Sequence, residues 1–277
     1  MLSKIKQLNF NRRLALAIPY FLIAILLIVL PIILIFTNAV VGHEEGFDNW
    51  ILVKESNTWN IIGRSLKIGV ISSFLCLIIA LPYSYFISTS KSKIFRIYAL
   101  SLIISPMAIF TIAKIYAIKG LFLAMVADPK SLNAEWFIIL GLTFLNIPLM
   151  VMPLYTVFKD MPKNIVEASY DLGYNSFQTM YKVIIPYATK AILSGIGMIF
   201  LASATTFVIS KKLLPDGSQK QLIGDLINSK INPGNKFDLS SGSALVVVVS
   251  AIFIGIYSLT LIAPKVIFFF KKGAHYE

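Results

Sequence analysis

Few side chains in this chain could do chemistry, and most of those that could sit in one polar stretch, where residues 167 to 173 read Glu-Ala-Ser-Tyr-Asp-Leu-Gly. Glu167 and Asp171 offer charged hydrogen-bond acceptors, and Ala168 and Ser169 are small enough to admit close approach of another surface. Gly173 supplies a permissive turn. Elsewhere the inventory is thin. His43 and His275 have no Cys or His partners at ligand spacing, so no metal site is expected. The single cysteine, Cys76, lies in an apolar run, which rules out an internal disulfide and reads as packing. No G-x-x-x-x-G-K-[ST] occurs, so any nucleotide must be bound by another polypeptide.

A second group lies inside apolar runs. Lys114 is the one charge deep in such a run, and an ionisable side chain there is a functional candidate by default. The competing reading is that Lys114 snorkels to the interface or hydrogen-bonds helix carbonyls. Tyr116, Asn146, Thr205, Thr206 and Phe207 join it as candidates for lining a translocation path. The apolar runs hold no clear Asp or Glu, so a cation crossing here would rely on aromatic faces, carbonyls, hydroxyls, or acids from a partner subunit.

The elements that carry these residues follow from composition. Apolar residues make up 57% of the 277 and charged residues 14%, whereas soluble domains average about 45–50% and about 25%. A soluble fold so composed could not cover itself with polar surface. Apolar runs near 20 residues, enough to cross about 30 Å of hydrocarbon, recur and predict six spans: 17–39, 61–87, 97–118, 136–158, 190–210 and 243–270. The expectation is an all-α polytopic membrane protein forming one transmembrane domain over residues 1–277. The first run is read as a true span, since it exceeds the roughly 7 to 15 residues of a signal h-region and no small-x-small cleavage site follows.

The net charge of +12 does not call for nucleic acid, because Lys and Arg concentrate in short segments between apolar runs. With the N-terminus inside, the inner segments carry Lys4, Lys6, Arg12 and Arg13, then Lys91, Lys93 and Arg96, then Lys159, Lys163, Lys182 and Lys190, then Lys271 and Lys272. The first outer loop instead carries Glu44, Glu45, Asp48 and Glu55 against Lys54 alone, while the last, 211–240, is mixed. Both termini inside is the better fit.

The stretch 159–189 falls between the fourth and fifth spans. Asp160-Met161-Pro162 reads as a helix start and Gly173 as its stop; Asn175 or Ser176, with Gln178, can cap a second helix, and Pro186 marks a break before the next span. A helix-turn-helix outside the bilayer is expected. Ile165, Val166, Tyr170 and Leu172 would equally suit an amphipathic helix resting on lipid headgroups.

Glu167, Ala168, Gly173 and Ile185-Pro186 resemble the EAA loop of binding-protein-dependent ABC importers, with Ser169 replacing the second alanine. The likeness covers nearly the whole chain and is closest to the spermidine/putrescine branch. It rests on IPYFL with Pro31, SLKIGVISSFLCLIIALPYSYFIS at 65–88, NIPLMVMPLY at 146–155, DLG at 171–173 and QTMYKVIIP at 178–186, and more loosely on residues 224–227 and 241–244. The resemblance implies a non-catalytic permease half in a bacterial cytoplasmic membrane. Its implied partners are a homologous second permease, two ATPase subunits that hold ATP and Mg, and an extracytoplasmic substrate-binding protein. It also implies that Glu167, Ala168, Ser169, Asp171, Gly173 and Pro186 form a coupling helix against the ATPase. An importer of the same type for thiamine, iron, sulfate or a sugar would share these motifs. A secondary carrier would be expected to show intramembrane acids and repeat symmetry, and a scaffold would not need the loop.

Overall fold

The computed structural model describes residues 17–41, 47–216, 220–232 and 234–273, with side chains through residue 262. Lys4, Lys6, Arg12, Arg13, His43, Glu44, Glu45 and His275 lie outside the described residues, as do the side chains of Lys271 and Lys272. Every regular element among the described residues is helical. The chain divides into two units, one of residues 1–55 and 230–250 and the other of residues 56–229 and 251–277.

In the first unit, α1 (Ile18–Val40) is apolar on all sides and exposed along almost its whole length. Its 23 residues span about 34 Å, enough to cross a bilayer, and only lipid or another subunit can satisfy such a surface. Pro31 lacks the N–H that would bond four residues back, and the helix accommodates this by widening into a π-turn over Ile25–Val29, with Leu30 N–H donating to the Ile25 carbonyl. At its C-terminal end Asn49 Nδ2 donates to the carbonyls of Ala39 and Val41 at 3.1 and 3.0 Å. These bonds satisfy acceptors that the helix itself cannot.

The second unit is organised by α2 (Ser56–Thr89) and α5 (Glu135–Lys159), which pack along their lengths. Three contacts fix their register. Lys67 Nζ donates to Glu135 Oε2 at 2.8 Å, Cys76 Sγ to the Thr143 carbonyl at 3.4 Å, and Ser84 Oγ to the Val151 carbonyl at 3.2 Å. Partners advance together along both helices, so the pair is parallel. The residues between them must therefore return the chain from the Thr89 end to the Glu135 end.

That return is not the single helix expected over 97–118. α3 (Lys93–Ile104) runs into a 3-10 turn at Ser105–Ala108, and α4 (Thr111–Met125) departs at 105°. Pro106 removes a helical donor, and Ile109 and Phe110 take extended backbone. The fifth segment also departs from expectation: α8 (Thr189–Ala204) stops before residue 210 and meets the preceding helical segment, Ser176–Tyr187, at 72°. Thus four helices are individually long and apolar enough to cross a membrane, and six crossings result if each bent pair counts once. The parallel α2/α5 pair requires that count for α3 and α4. α11 (Lys236–Gly273) supplies the last apolar helix. These helices make the chain a multi-pass membrane protein.

Two apolar cores hold the second unit. One joins Ile68, Ile115, Phe137, Leu142 and Leu213, the last of these on α9 (Ile209–Leu213), and the other joins Cys76, Met150, Leu154, Phe158, Ile184, Ala188 and Ile199. α8 is antiparallel to α5, since Met150 lies against Gly195 while Asn146 meets Ser203 further along.

Candidate functional site

A cavity of about 340 Å³ opens among α4, α5 and the end of α8. That size falls within the roughly 300–1,000 Å³ of small-molecule sites. Leu142, Leu145 and Leu149 of α5 give it an apolar wall, while Thr111 and Lys114 of α4, Asn146 of α5, and Thr206 just past α8 bring polar groups. Asn146 stands 11 residues from the start of α5 and 13 from its end, about 16 and 20 Å along the axis. The cavity therefore lies near mid-depth. Its rear is pinned where Asn146 Nδ2 donates to Ser203 Oγ at 3.0 Å, a buried bond that ties α5 to α8.

Of the six path candidates, the fold brings Lys114, Asn146 and Thr206 to this cavity and leaves three outside its lining. Tyr116 and Phe207 are exposed, and Thr205 turns its hydroxyl back to the Leu201 carbonyl at 2.7 Å. Helical spacing explains Tyr116, which falls two residues from Lys114 and so on another face. Carbonyl bonding, the alternative role for Lys114, is performed by Lys119, whose Nζ reaches the carbonyls of Lys212 and Leu214 at 3.3 and 2.8 Å.

Behind the cavity wall lies a buried acid that sequence reading missed. α10 (Ile223–Lys230) begins against α2: Ile223 N–H donates to Ser65 Oγ at 2.8 Å, and Arg64 Nη1 donates to the Gln221 carbonyl at 3.2 Å. This brings Gly224 onto the carbonyls of Thr205 and Thr206, where no side chain would fit. Asp225, 1% exposed, accepts from Ser210 Oγ, while its Oδ1 is buried without a hydrogen-bond partner. Burial raises its pKa to about 6, against smaller lowering effects from the Leu222 N–H and Lys211. Gly224-Asp225 in a loop was the available signal, but nothing local indicated burial.

The second candidate region is a helical hairpin at the Lys159 end. α6 (Lys163–Asp171) and α7 (Ser176–Tyr187) are its arms. Contrary to expectation, Asp160 does not cap α6; it ends α5, and Pro162 occupies the N-cap with no side-chain bond. The rest follows the sequence closely. Gly173 has φ +82°, with its N–H on the Tyr170 carbonyl and the Tyr174 N–H on the Ser169 carbonyl at 2.9 and 3.1 Å, the two bonds of a Schellman stop. Asn175 and Gln178 form the reciprocal capping box at 2.8 and 3.1 Å.

Glu167, Ala168, Asp171, Gly173 and Pro186 are all exposed. Ser169 is not, contrary to its expected place on the approach surface. It is 3% exposed, and its hydroxyl lies 2.9 Å from that of Thr179, locking α6 onto α7. Helical spacing places Ser169 on the face opposite the exposed Glu167 and Asp171, which forces it inward. The hairpin also exposes Leu172, Phe177 and Tyr181, of which Phe177 and Tyr181 were not singled out from sequence. A second π-turn, Met180–Ile184, precedes Pro186, and Ile184 and Ala188 sink into the core that holds Met150 and Leu154. The exposed hairpin is thereby bonded through packing to the helices that bear the cavity.

Comparison with known proteins accords with this geometry. The family described as "Binding-protein-dependent transport system inner membrane component" matches residues 80–267, more than half of the chain. A Mycoplasma pneumoniae protein described as "Spermidine/putrescine transport system permease protein PotB homolog" is 32% identical over 197 residues, 68% of each chain. Its Mycoplasma genitalium counterpart of the same description is 28% identical over 272 residues, 94% of this chain and 95% of that one. Among solved structures, a bacterial ABC transporter involved in the import of the acidic polysaccharide alginate superposes with a TM-score of 0.65 at 18% identity. That match covers 93% of this chain and 97% of the other, and it shows a shared fold. The chain accordingly belongs to the binding-protein-dependent transport system inner membrane components, non-catalytic permease subunits of ABC transporters whose ATPase is a separate chain.

Proposed function

We propose that this chain acts as one permease domain, half of an ATP-driven importer of spermidine or putrescine. The observation that carries the substrate is the end-to-end likeness to a relative described as a spermidine/putrescine permease, over 94% of this chain. The cavity is consistent with such a cargo: Thr111, Asn146 and Thr206 present neutral oxygen acceptors suited to ammonium groups between leucine walls suited to methylene chains. Its partners are a homologous second permease that completes the cavity, two ATPase subunits with ATP and Mg, and an extracytoplasmic binding protein that delivers the substrate. Both termini and the α6–α7 hairpin face the cytoplasm of the bacterial inner membrane.

The coupling route follows from packing. Glu167, Ala168, Asp171 and Gly173 present the hairpin to the ATPase, and Pro186 helps set its angle to α8. Closure of two ATPases on ATP draws the paired hairpins together. The shift passes through Ile184 and Ala188 to α5 and α8, the helices that meet at Asn146 and Ser203 beside the cavity, and opens it outward. Titration calorimetry of the cognate binding protein tests the substrate. Heat is expected with spermidine or putrescine; none with either, together with tight binding of a sugar or thiamine, removes the polyamine assignment.

A further inference from the structure

Among the described residues, Lys114 is the only charged one that lines the cavity. It is half-buried, near mid-depth, and shares its space with Asn146 and Thr206. A fixed ammonium there has the same sign as a polyamine, so the proposed cargo must pass a site that repels it. We propose that Lys114 is a specificity-determining residue that keeps the cavity from trapping its cationic cargo, so that substrate delivered by the binding protein passes on instead of lodging; this rests on the polyamine reading above.

The physical argument is one of opposing contributions. Oxygen acceptors and an apolar wall would hold a dication or trication, since hydrogen bonds to a charged group are stronger than neutral ones. Tight holding is a fault in a transporter, which must release what it binds. In a cavity of about 340 Å³ lined by Lys114, a cargo ammonium seated beside it would lie several ångströms from its Nζ. Like charges about 6 Å apart at an effective dielectric of about 20 weaken binding roughly 10- to 100-fold, allowing for partial solvent screening. Lys114 thus sets residence time through its field and needs no bond to the substrate.

The test uses the complete importer reconstituted in proteoliposomes, with both permeases, the ATPase and the binding protein. Wild-type uptake of labelled spermidine or putrescine checks the substrate reading by itself; if the wild type imports neither, that reading fails and this one falls with it. Given wild-type uptake, Lys114→Met and Lys114→Gln should retain roughly 10- to 100-fold more labelled polyamine on the purified complex and turn over more slowly at saturating binding protein. Lys114→Arg should match the wild type. A slower importer with unchanged retention would mean a structural role and would overturn the proposal, as would wild-type behaviour in Met and Gln. A second reading compares ligands: replacing the parent polyamine by its monoacetylated form, one positive charge fewer, should narrow the gap in retention between the wild type and Lys114→Met or Lys114→Gln, and an unchanged gap overturns the proposal. Failure of both variants to insert would mean a structural role for Lys114 and overturn it as well.

Discussion

Substitution of Gly173 by valine isolates one backbone angle in the hairpin. Gly173 has φ +82°, and a Cβ built there meets nothing within 4 Å. The penalty is therefore torsional and not a clash. A left-handed conformation costs an ordinary L-residue about 1–2 kcal/mol, and a β-branched one stands at the upper end of a range reaching about 3 kcal/mol. This lowers the population of the native turn roughly 5- to 150-fold. Loss of the turn releases the Tyr174-to-Ser169 and Gly173-to-Tyr170 bonds and re-aims α6, the arm that carries Glu167 and Asp171. Because Gly173 is exposed and outside the candidate spans, insertion should be unaffected. The assay co-expresses the importer, quantifies this chain in the membrane fraction, then measures ATPase retained on affinity-purified complex and uptake in proteoliposomes. Gly173→Val should insert normally and lose ATPase retention and uptake by roughly fivefold or more. Gly173→Asn, which tolerates positive φ, should stay near wild type. Normal coupling in Val, or a loss in Asn as deep as in Val, would refute the assignment of the defect to backbone conformation.

Further outcomes are expected elsewhere. Glu167→Lys, on the exposed acidic face, should leave membrane levels unchanged and reduce ATPase retention roughly tenfold or more by placing a wrong charge at the interface; unchanged retention would show the face is not the docking surface. Gly224→Ala would push a Cβ to 2.4 and 2.5 Å from the Thr206 and Thr205 carbonyl oxygens, and rigid backbone on both sides predicts a loss of at least about 2 kcal/mol. Its melting temperature in detergent should drop and uptake should disappear; an unchanged melting temperature contradicts the packing. Asp225 has its pKa raised from 3.8 to about 6 by burial, so the folded chain keeps a proton that the unfolded chain has lost. The resulting stability is complete below about pH 4 and gone above about pH 6, on the order of 3 kcal/mol over the window. Asp225→Asn should therefore melt higher than wild type at pH 7 and show no decline across that window, whereas parallel pH curves would rule out a buried titrating carboxylate. Reporter fusions should place residues 91–96 and 164–176 on the cytoplasmic side and residues 49 and 216 outside; an outside signal at residue 170 would invert the topology.

Local chemistry made much of the chain legible from its sequence. Class followed from apolar run length, which no tertiary contact can change, and five of the six expected spans fall on helices close to their anticipated bounds or within a bent pair. The hairpin was legible because its signals are self-contained: a glycine stop and an Asn-Gln capping box each act within four residues. Asp160 misled for a related reason. An acidic residue before a proline fits a helix start, but here α5 continues to Lys159 and claims Asp160 for its own end.

What the sequence alone could not decide depends on which surfaces meet. Periodicity in the third apolar run looks continuous, yet the parallel packing of α2 on α5 and the break at Ile109-Phe110 convert it into two helices at 105°. Ser169 and Ala168 are both small and equally suited to a docking face; only the fold of α6 onto α7 turns the first inward to Thr179 and leaves the second exposed. Lys114, Asn146 and Thr206 are spread over 92 positions and become neighbours only because α4, α5 and α8 converge at mid-depth. Asp225 is the plainest instance. Its sequence neighbours mark it as loop, and it is the bonds from the Ile223 N–H to Ser65 and from Arg64 to the Gln221 carbonyl that carry it out of water. Composition and short motifs determined that this chain enters a membrane and presents an exposed helical hairpin, because those depend on local hydrophobicity and backbone torsion. The cavity and its single charge were decided by long-range packing, because burial is a property of the partners a residue meets.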